Sequence, residues 1–147
     1  RHAGAGSTNP IVLPRPILHS PDFNFSFSGL KTSVLYLIRK TALDEHATED
    51  ISMALEDAIT EVLIKKTSKA LDKCEAHTLV VGGGVIANTH IREALTKLAS
   101  ERNLELLMPI PELTGDNAVM IALAGAFADK EKAALGAALS AQGNLSL

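Results

Sequence analysis

The sequence is poor in cysteine, in aromatic residues and in long apolar runs. Its 147 residues include one cysteine, Cys74, no tryptophan, four phenylalanines and one tyrosine. A single cysteine excludes an internal disulfide and favours a reducing compartment, so we expect a cytoplasmic protein. The longest largely apolar stretch, Val119–Ala128, is far shorter than the roughly 20 residues that span a bilayer, and we expect no membrane segment.

Basic charge is also scarce. The chain has 14 lysines and arginines and 17 acidic residues, which gives a net charge of −3 and a pI near 5.9. A domain that binds nucleic acid by itself usually carries a basic face. The small clusters Arg39–Lys40 and Lys65–Lys66 stand among acids on predicted helices and indicate a solvated helical face. If RNA is a substrate, other surfaces must supply much of the affinity.

The amino-terminal part of the sequence predicts a loop and one strand. Apolar residues make up 46% of the chain, enough for the core of one ordinary domain. Residues 10–27 are rich in proline, which disfavours helix. Phe23, Phe25 and Phe27 alternate there, and this period of two predicts a strand whose aromatic rings lie in the core.

Two helices are predicted next. Apolar spacing indicates an amphipathic helix that begins after Ser28, its predicted cap. A longer helix is predicted to follow with Thr48 as its cap, and the acidic residues Glu49 and Asp50 in its first turn suit the helix dipole. Its apolar stripe runs from Ile51 to Cys74, so we expect Cys74 to be an inert thiol in the core.

The rest of the chain alternates strand and helix. Thr78–Val81 is a continuously apolar strand of the kind buried in parallel sheets, and Glu105–Met108 is predicted as another. Between them lies a helix whose apolar positions are Ile91, Leu95, Leu98 and Ala99, and a last helix runs from Ala118 to about Leu135. This is an α/β pattern rich in helix. With only three or four strands, the sheet is expected to be incomplete and to continue in a segment absent from this chain.

These patterns give one domain organisation. We expect a loop and strand segment at 1–27, an α/β body at 28–135 and a small-residue tail at 136–147.

Three consecutive glycines, Gly82, Gly83 and Gly84, join a predicted strand to a predicted helix. Glycines let backbone N–H groups approach an anion, and the helix start adds a positive dipole end. The motif is neither a P-loop nor the dinucleotide fingerprint. Nucleotide contact and tight packing of strand on helix would each explain such a motif. Asn88 stands where a helix cap is expected, and capping alone would explain it.

A second polar motif, Gly115-Asp116-Asn117, precedes the last helix. Capping of that helix would explain Asp116, whereas a metal role would need further ligands. The five histidines show no pair at positions i and i+4, and the sequence contains no HExxH zinc motif and no Gly-x-Ser-x-Gly elbow. Taken alone, the residues indicate a nucleotide-binding type of α/β fragment.

Three stretches together resemble one enzyme family, TsaD, in order and spacing. They are Phe25-Ser-Phe-Ser-Gly-Leu-Lys-Thr32, Val80-Val-Gly-Gly-Gly-Val-Ile-Ala-Asn88 and Gly115-Asp-Asn117 followed by Met120-Ile-Ala122. The segment Leu13-Pro-Arg-Pro16 resembles the same family. The resemblance covers nearly the whole chain, from about Ile11 to Gly125.

The resemblance implies a fold and an activity. Members have the fold of actin, Hsp70 and sugar kinases, with two α/β domains around a nucleotide, so this chain would be a partial domain. They transfer a threonylcarbamoyl group from threonylcarbamoyl-AMP to N6 of adenosine 37 in tRNAs that read codons beginning with A. This resemblance makes Gly82, Gly83, Gly84 and Asn88 substrate-binding residues. It makes Asp116 a ligand of one divalent metal ion, iron or zinc.

The resemblance also implies what is missing. The family's HxxxH motif supplies the two histidine ligands and does not occur in this sequence. We therefore expect an absent amino-terminal half and no activity from this chain alone, and we assign no catalytic residue. Implied partners are tRNA, TsaB- and TsaE-like proteins or KEOPS subunits, and the missing half. The alternative is a non-catalytic scaffold derived from the family. Uncovered apolar sheet surface would favour self-association in either case.

Overall fold

A computed structural model describes residues 11–41 and 44–128 of the chain. The described residues form four α-helices and two β-strands: α1 Ser28–Lys40, α2 Glu45–Leu71, β1 Thr78–Val80, α3 Thr89–Glu101, β2 Glu105–Leu107 and α4 Ala118–Phe127. They fall into two compact units, one ending at Thr114 and one beginning at Gly115. The α/β class, rich in helix with few strands, is confirmed.

The two first helices begin differently from the prediction. In α1, Phe27 occupies the cap position without a side-chain cap bond, and Ser28 is already helical. In α2 the cap is Asp44, whose carboxylate accepts the N–H of Ala47 at 2.7 Å. Thr48 lies inside the first turn, where its hydroxyl donates to the carbonyl of Asp44 at 2.8 Å. Both predicted caps, Ser28 and Thr48, are therefore wrong.

The predicted phenylalanine strand is also wrong, because residues 11–27 form a turn and extended coil without strand pairing. Phe27 packs against the core of Leu13, Leu30 and Ala58, but Phe23 and Phe25 are 41% and 49% exposed. The ammonium groups of Lys69 and Lys73 lie 5.8 and 5.4 Å from the centre of the Phe23 ring. Cations thus cover that ring in place of a neighbouring strand.

A buried lysine of α2, Lys66, binds the segment of residues 11–27 to that helix. Lys66 is 1% exposed and donates to Ser20 Oγ at 2.5 Å and to the carbonyl of Asp22 at 3.0 Å. Lys69 adds a bond to the carbonyl of Ser20 at 2.6 Å. The predicted solvated face is therefore wrong for Lys66, whereas Arg39, Lys40 and Lys65 are exposed. Burial of Lys66 is tolerated because its ammonium donors find oxygen acceptors.

A second polar contact joins the same two elements. The Arg15 guanidinium donates to Glu61 Oε2 at 2.8 Å, and Lys65 donates to Glu61 Oε1 at 2.6 Å. These bonds, first that of Lys65 and then that of Arg15, lower the pKa of Glu61. A backbone bond from Asn24, followed by one from Ser20, lowers the pKa of Asp22 in the same way. Both carboxylates favour their charged forms in the folded chain.

Cys74 is exposed, which corrects the prediction of a buried core thiol. Helix α2 ends at Leu71, so the apolar stripe read from the sequence stops before the cysteine. The following turn carries Cys74 away from the helical face.

The two strands pair in parallel, as predicted, with Leu79 opposite Leu106 and Val80 opposite Leu107. One face of this sheet packs on α3: Leu79, Val81 and Met108 contact the buried cluster of Ile86, Ile91 and Leu95. The opposite face is uncovered, with Val80 72% and Leu107 48% exposed. The prediction of a strand buried on both faces is wrong within the described residues, where the sheet has two strands.

The second unit contributes α4, which begins at Ala118 as predicted and has no buried residue. The helix ends at Phe127, and Ala128 is extended with ψ 144°, so the predicted unbroken run to about Leu135 is wrong at that residue. Residues 129–135, the tail at 136–147 and residues 1–10 of the first segment lie outside the described residues. In the part of the chain that the structure describes, no helix is both long and apolar enough to cross a membrane.

Candidate functional site

The three glycines turn the chain from β1 towards α3. Gly83 adopts φ 95° and ψ 162°, a conformation that glycine tolerates and side-chain-bearing residues rarely adopt. Gly84–Ala87 then form a 3₁₀ turn, whose Ile86 side chain is buried. From α3, Arg92 donates to the carbonyl of Ile86 at 3.2 Å and ties the turn to the helix. The turn is thus held on its inner side while its glycines remain exposed.

Open space surrounds the glycine backbone. A Cβ atom built on Gly82, Gly83 or Gly84 would meet no heavy atom of the described chain within 4 Å. The sequence left tight packing of strand on helix as one explanation of these glycines. That explanation is wrong for the described residues, because nothing packs against the positions that a side chain would occupy.

The glycine turn borders an open, mainly apolar cleft of about 460 Å³. Phe27, Ile59 and Leu63 contribute to its lining together with the backbone of Gly82–Gly84. The cleft lies beyond the carboxyl end of β1, the place where open α/β sheets usually bind ligands. Apolar walls beside accessible backbone N–H groups suit a ligand that has both a flat apolar part and an anionic part.

Asn88 caps α3, as its position predicted. Its Oδ1 accepts the N–H of Ile91 at 3.0 Å. Its Nδ2 donates to Glu56 Oε1 on α2 at 2.5 Å. The side chain is half-buried, and it lines a recess of about 330 Å³ together with Glu56 and Gly84. Asn88 is therefore tied to both helices that border the glycine turn.

Glu56 is a residue that the sequence analysis missed. It is separated from Asn88 by 32 positions, and it looks like any other polar residue on the surface of a long helix. No local pattern could have identified it, because its only distinguishing feature is a contact between two elements. Its neighbour Asp57 faces His90 instead, with 3.2 Å between Asp57 Oδ1 and His90 Nε2, and both of those side chains are exposed.

Asp116 belongs to the second unit and is exposed. The cap of α4 is Asn117, whose Oδ1 accepts the N–H of Met120 at 3.0 Å. Asn117 Nδ2 also donates to the carbonyl of Gly115 at 2.9 Å, which closes the turn. Capping as an explanation of Asp116 is therefore wrong. Asp116 lies beside the start of α4, and its carboxylate does not cap that helix.

Comparison with known proteins supports one family over most of the chain. The family model described as TsaD, tRNA N6-adenosine threonylcarbamoyltransferase, matches residues 1–123. The chain belongs to the TsaD family. The match includes the glycine turn, Asn88 and the Asp116 segment.

Curated TsaD relatives are much longer than this chain. It is 44% identical over 120 residues to the tRNA N6-adenosine threonylcarbamoyltransferase of Thermosipho africanus, a match that covers 82% of this chain and 36% of the relative. Proteins of the same name from Geobacter sulfurreducens and Paraburkholderia xenovorans are 43% identical over 126 residues and 47% identical over 129. The matches cover 85% and 86% of this chain but 37% and 38% of those relatives. The chain therefore spans little more than a third of their length.

The metal ion that the family resemblance implies needs more ligands than the described residues of this TsaD chain bring together. Across residues 11–41 and 44–128, no group of three or more histidine, cysteine, aspartate or glutamate side chains could hold a metal ion. Asp116 offers one carboxylate, which can be one ligand but cannot complete a three- or four-ligand site. The described residues do not fit a complete metal site.

Proposed function

We propose that this chain supplies part of the substrate site of a tRNA N6-adenosine threonylcarbamoyltransferase. In the proposed reaction, N6 of adenosine 37 in tRNAs that read codons beginning with A attacks the carbamoyl carbon of threonylcarbamoyl-AMP. A carbon–nitrogen bond forms, and the bond from that carbon to the phosphate oxygen breaks. AMP leaves with the electron pair, and N6 loses one proton to solvent.

The single observation that best supports this proposal is the open glycine turn beside Asn88. The backbone of Gly82, Gly83 and Gly84 is accessible, and no described atom occupies the positions that side chains would fill. We propose that this backbone approaches the phosphate of the adenylate and that the Asn88 amide contacts the same ligand. The apolar lining of the adjoining cleft would suit the adenine ring.

Asp116 has a separate proposed role as one ligand of a divalent metal ion, iron or zinc. Its exposed carboxylate, which does not serve as the cap of α4, supports this role. The other ligands, and the rest of the substrate site, would come from the longer protein. The chain alone is then inactive, and transfer requires tRNA and partners of the TsaB and TsaE kind or, in other lineages, KEOPS subunits.

The site assignments are tested in a joined protein, in which this chain replaces the matching part of the Thermosipho africanus relative. Asn88→Ala is expected to weaken AMP binding about tenfold, as loss of one good hydrogen-bonding partner predicts. Asp116→Ala is expected to lower the bound metal from about one ion per protein to a small fraction, measured by elemental analysis. Calorimetry measures the AMP affinity of both variants.

Glu112→Ala is the matched control for Asp116, because Glu112 is an exposed carboxylate four positions earlier in the sequence. It should retain the metal. Full metal content in Asp116→Ala would refute the ligand assignment, and unchanged AMP affinity in Asn88→Ala would refute the substrate assignment.

A second candidate, a non-catalytic scaffold, has one observation in its favour. Val80 and Leu107 form an uncovered apolar sheet face, and uncovered faces of this kind commonly mark protein contacts. A joined protein that binds neither AMP nor metal would favour the scaffold over the enzyme.

A further inference from the structure

We propose that Glu56 is a positioning residue that fixes the side-chain amide of Asn88 in the one orientation able to bind the substrate. The inference rests on the proposed function, in which Asn88 contacts the adenylate. Its basis is the pair of bonds that Asn88 makes to α2 and α3, one to Glu56 Oε1 at 2.5 Å and one from the N–H of Ile91 at 3.0 Å.

The two hydrogen-bonding partners of Asn88 fix the orientation of its side-chain amide. A backbone N–H can only donate, so the atom of Asn88 that faces Ile91 must be the oxygen. A carboxylate can only accept, so the atom that faces Glu56 must be the nitrogen. Rotating the amide by half a turn would set nitrogen against the N–H of Ile91 and oxygen against the charge of Glu56, and both bonds would be lost.

This arrangement still leaves Asn88 able to bind a ligand. Nδ2 carries two hydrogens and gives one to Glu56, while Oδ1 has two lone pairs and uses one for Ile91. One donor and one acceptor therefore remain, in an orientation set before any ligand arrives. Such preorganisation raises affinity because the ligand does not have to order the side chain.

The position of Glu56 fits a supporting role more closely than a direct one. It lies in the middle of α2, and its carboxylate lines the recess that Asn88 and Gly84 also line. A carboxylate would repel the phosphate of an adenylate, whereas its bond to a neutral amide is charge-assisted and strong. Without Glu56, the cap bond to Ile91 alone would hold Asn88, and the Nδ2 end would lose its partner.

The first test uses the 147-residue chain itself and needs no ligand. Nuclear magnetic resonance of the Asn88 side-chain NH₂ group reports its hydrogen bonding directly. Glu56→Ala is expected to shift and broaden this pair of signals, because the nitrogen loses its charged acceptor. Asp57→Asn, which removes an adjacent negative charge on the same helix, should leave the pair unchanged. Unchanged Asn88 signals in Glu56→Ala would overturn the proposal.

The second test measures AMP binding and transfer in the joined protein. Glu56→Ala should raise the dissociation constant of AMP about tenfold, comparable with Asn88→Ala, while the maximal transfer rate stays within about twofold. In an Asn88→Ala background, Glu56→Ala should add no further loss, because its effect acts through Asn88. A residue that only stabilised the fold would lower affinity in both backgrounds. Glu56→Gln retains an acceptor oxygen and should recover part of the affinity.

The outcomes separate the two proposals. Wild-type AMP affinity in Glu56→Ala, together with weakened binding in Asn88→Ala, would overturn the role of Glu56 and leave the proposed function standing. Wild-type affinity in Asn88→Ala would overturn the proposed substrate contact and the role of Glu56 with it. Additive losses in the double variant would overturn positioning through Asn88.

Discussion

Three consecutive glycines follow β1, but their backbone conformations differ. Gly83 has a positive φ that disfavours any side chain. Gly82 and Gly84 do not, and a methyl group at either position would meet open space. A requirement for glycine at those two positions would therefore have to come from a group outside the described residues, such as a ligand, because the described fold imposes none.

This difference gives a prediction at the scale of single residues. Gly84→Ala should leave the free energy of unfolding of the chain within about 0.5 kcal/mol of wild type, whereas Gly83→Ala should lower it by about 1 kcal/mol or more. Urea unfolding followed by circular dichroism measures both. In the joined protein, Gly84→Ala should nevertheless weaken AMP binding, because its methyl group would stand between backbone and phosphate. An unchanged AMP affinity would argue against backbone contact at Gly84.

Among the elements, the most informative contact joins α2 to the segment before α1. Lys66 holds that segment with bonds to Ser20 and Asp22, and Lys69 adds one more. The segment leads directly into α1 through Phe27, which lines the cleft beside the glycine turn. The buried lysine therefore stabilises one wall of the candidate site.

Removing this lysine should destabilise the chain. Lys66→Ala loses charge-assisted hydrogen bonds and the packing of a buried aliphatic stem, so we expect the free energy of unfolding to fall by about 1–3 kcal/mol. Lys65→Ala is the matched control, since Lys65 is 54% exposed and pairs with Glu61 on the surface. Its effect should stay within about 0.5 kcal/mol. Equal losses in the two variants, measured by urea unfolding, would contradict this account of Lys66.

Structural features that are set by residues near one another in the chain could be predicted from the sequence. Helical spacing correctly placed four buried residues on α3, Ile91, Leu95, Leu98 and Ala99. The short apolar runs correctly gave both strands, and Asn88 was correctly identified as a cap candidate. Each of these features is set by periodicity or by a single helix end, which are local properties.

Structural features that are set by contacts between residues far apart in the chain could not be predicted from the sequence. Asp44 and Thr48 are both acceptable amino-terminal caps, and the sequence alone does not say at which of them the helix begins. The bonds from Lys66 to Asp22 and from Asn88 to Glu56 join residues 44 and 32 positions apart. Tertiary contacts therefore decided the exposure of Phe23, the burial of Lys66 and the pairing of Glu56.

At the scale of the whole molecule, the two-stranded sheet formed by the described residues is smaller than a stable parallel sheet requires. Parallel sheets are normally covered on both faces, yet Val80 and Leu107 lie open on one face of this two-stranded pair. The chain also spans only 36–38% of the curated relatives it matches. The uncovered face is available for contact with another protein surface. Self-association through the uncovered face stays a prediction.

The most direct measurement is the formation of threonylcarbamoyladenosine in tRNA. The joined protein is incubated with TsaB- and TsaE-like partners, threonine, bicarbonate, ATP and unmodified tRNA, and the digested nucleosides are quantified by mass spectrometry. We predict modified adenosine 37 from the joined protein, and none from the 147-residue chain alone or from the joined protein carrying Asp116→Ala. Modification by the chain alone, or a full yield from Asp116→Ala, would contradict the account.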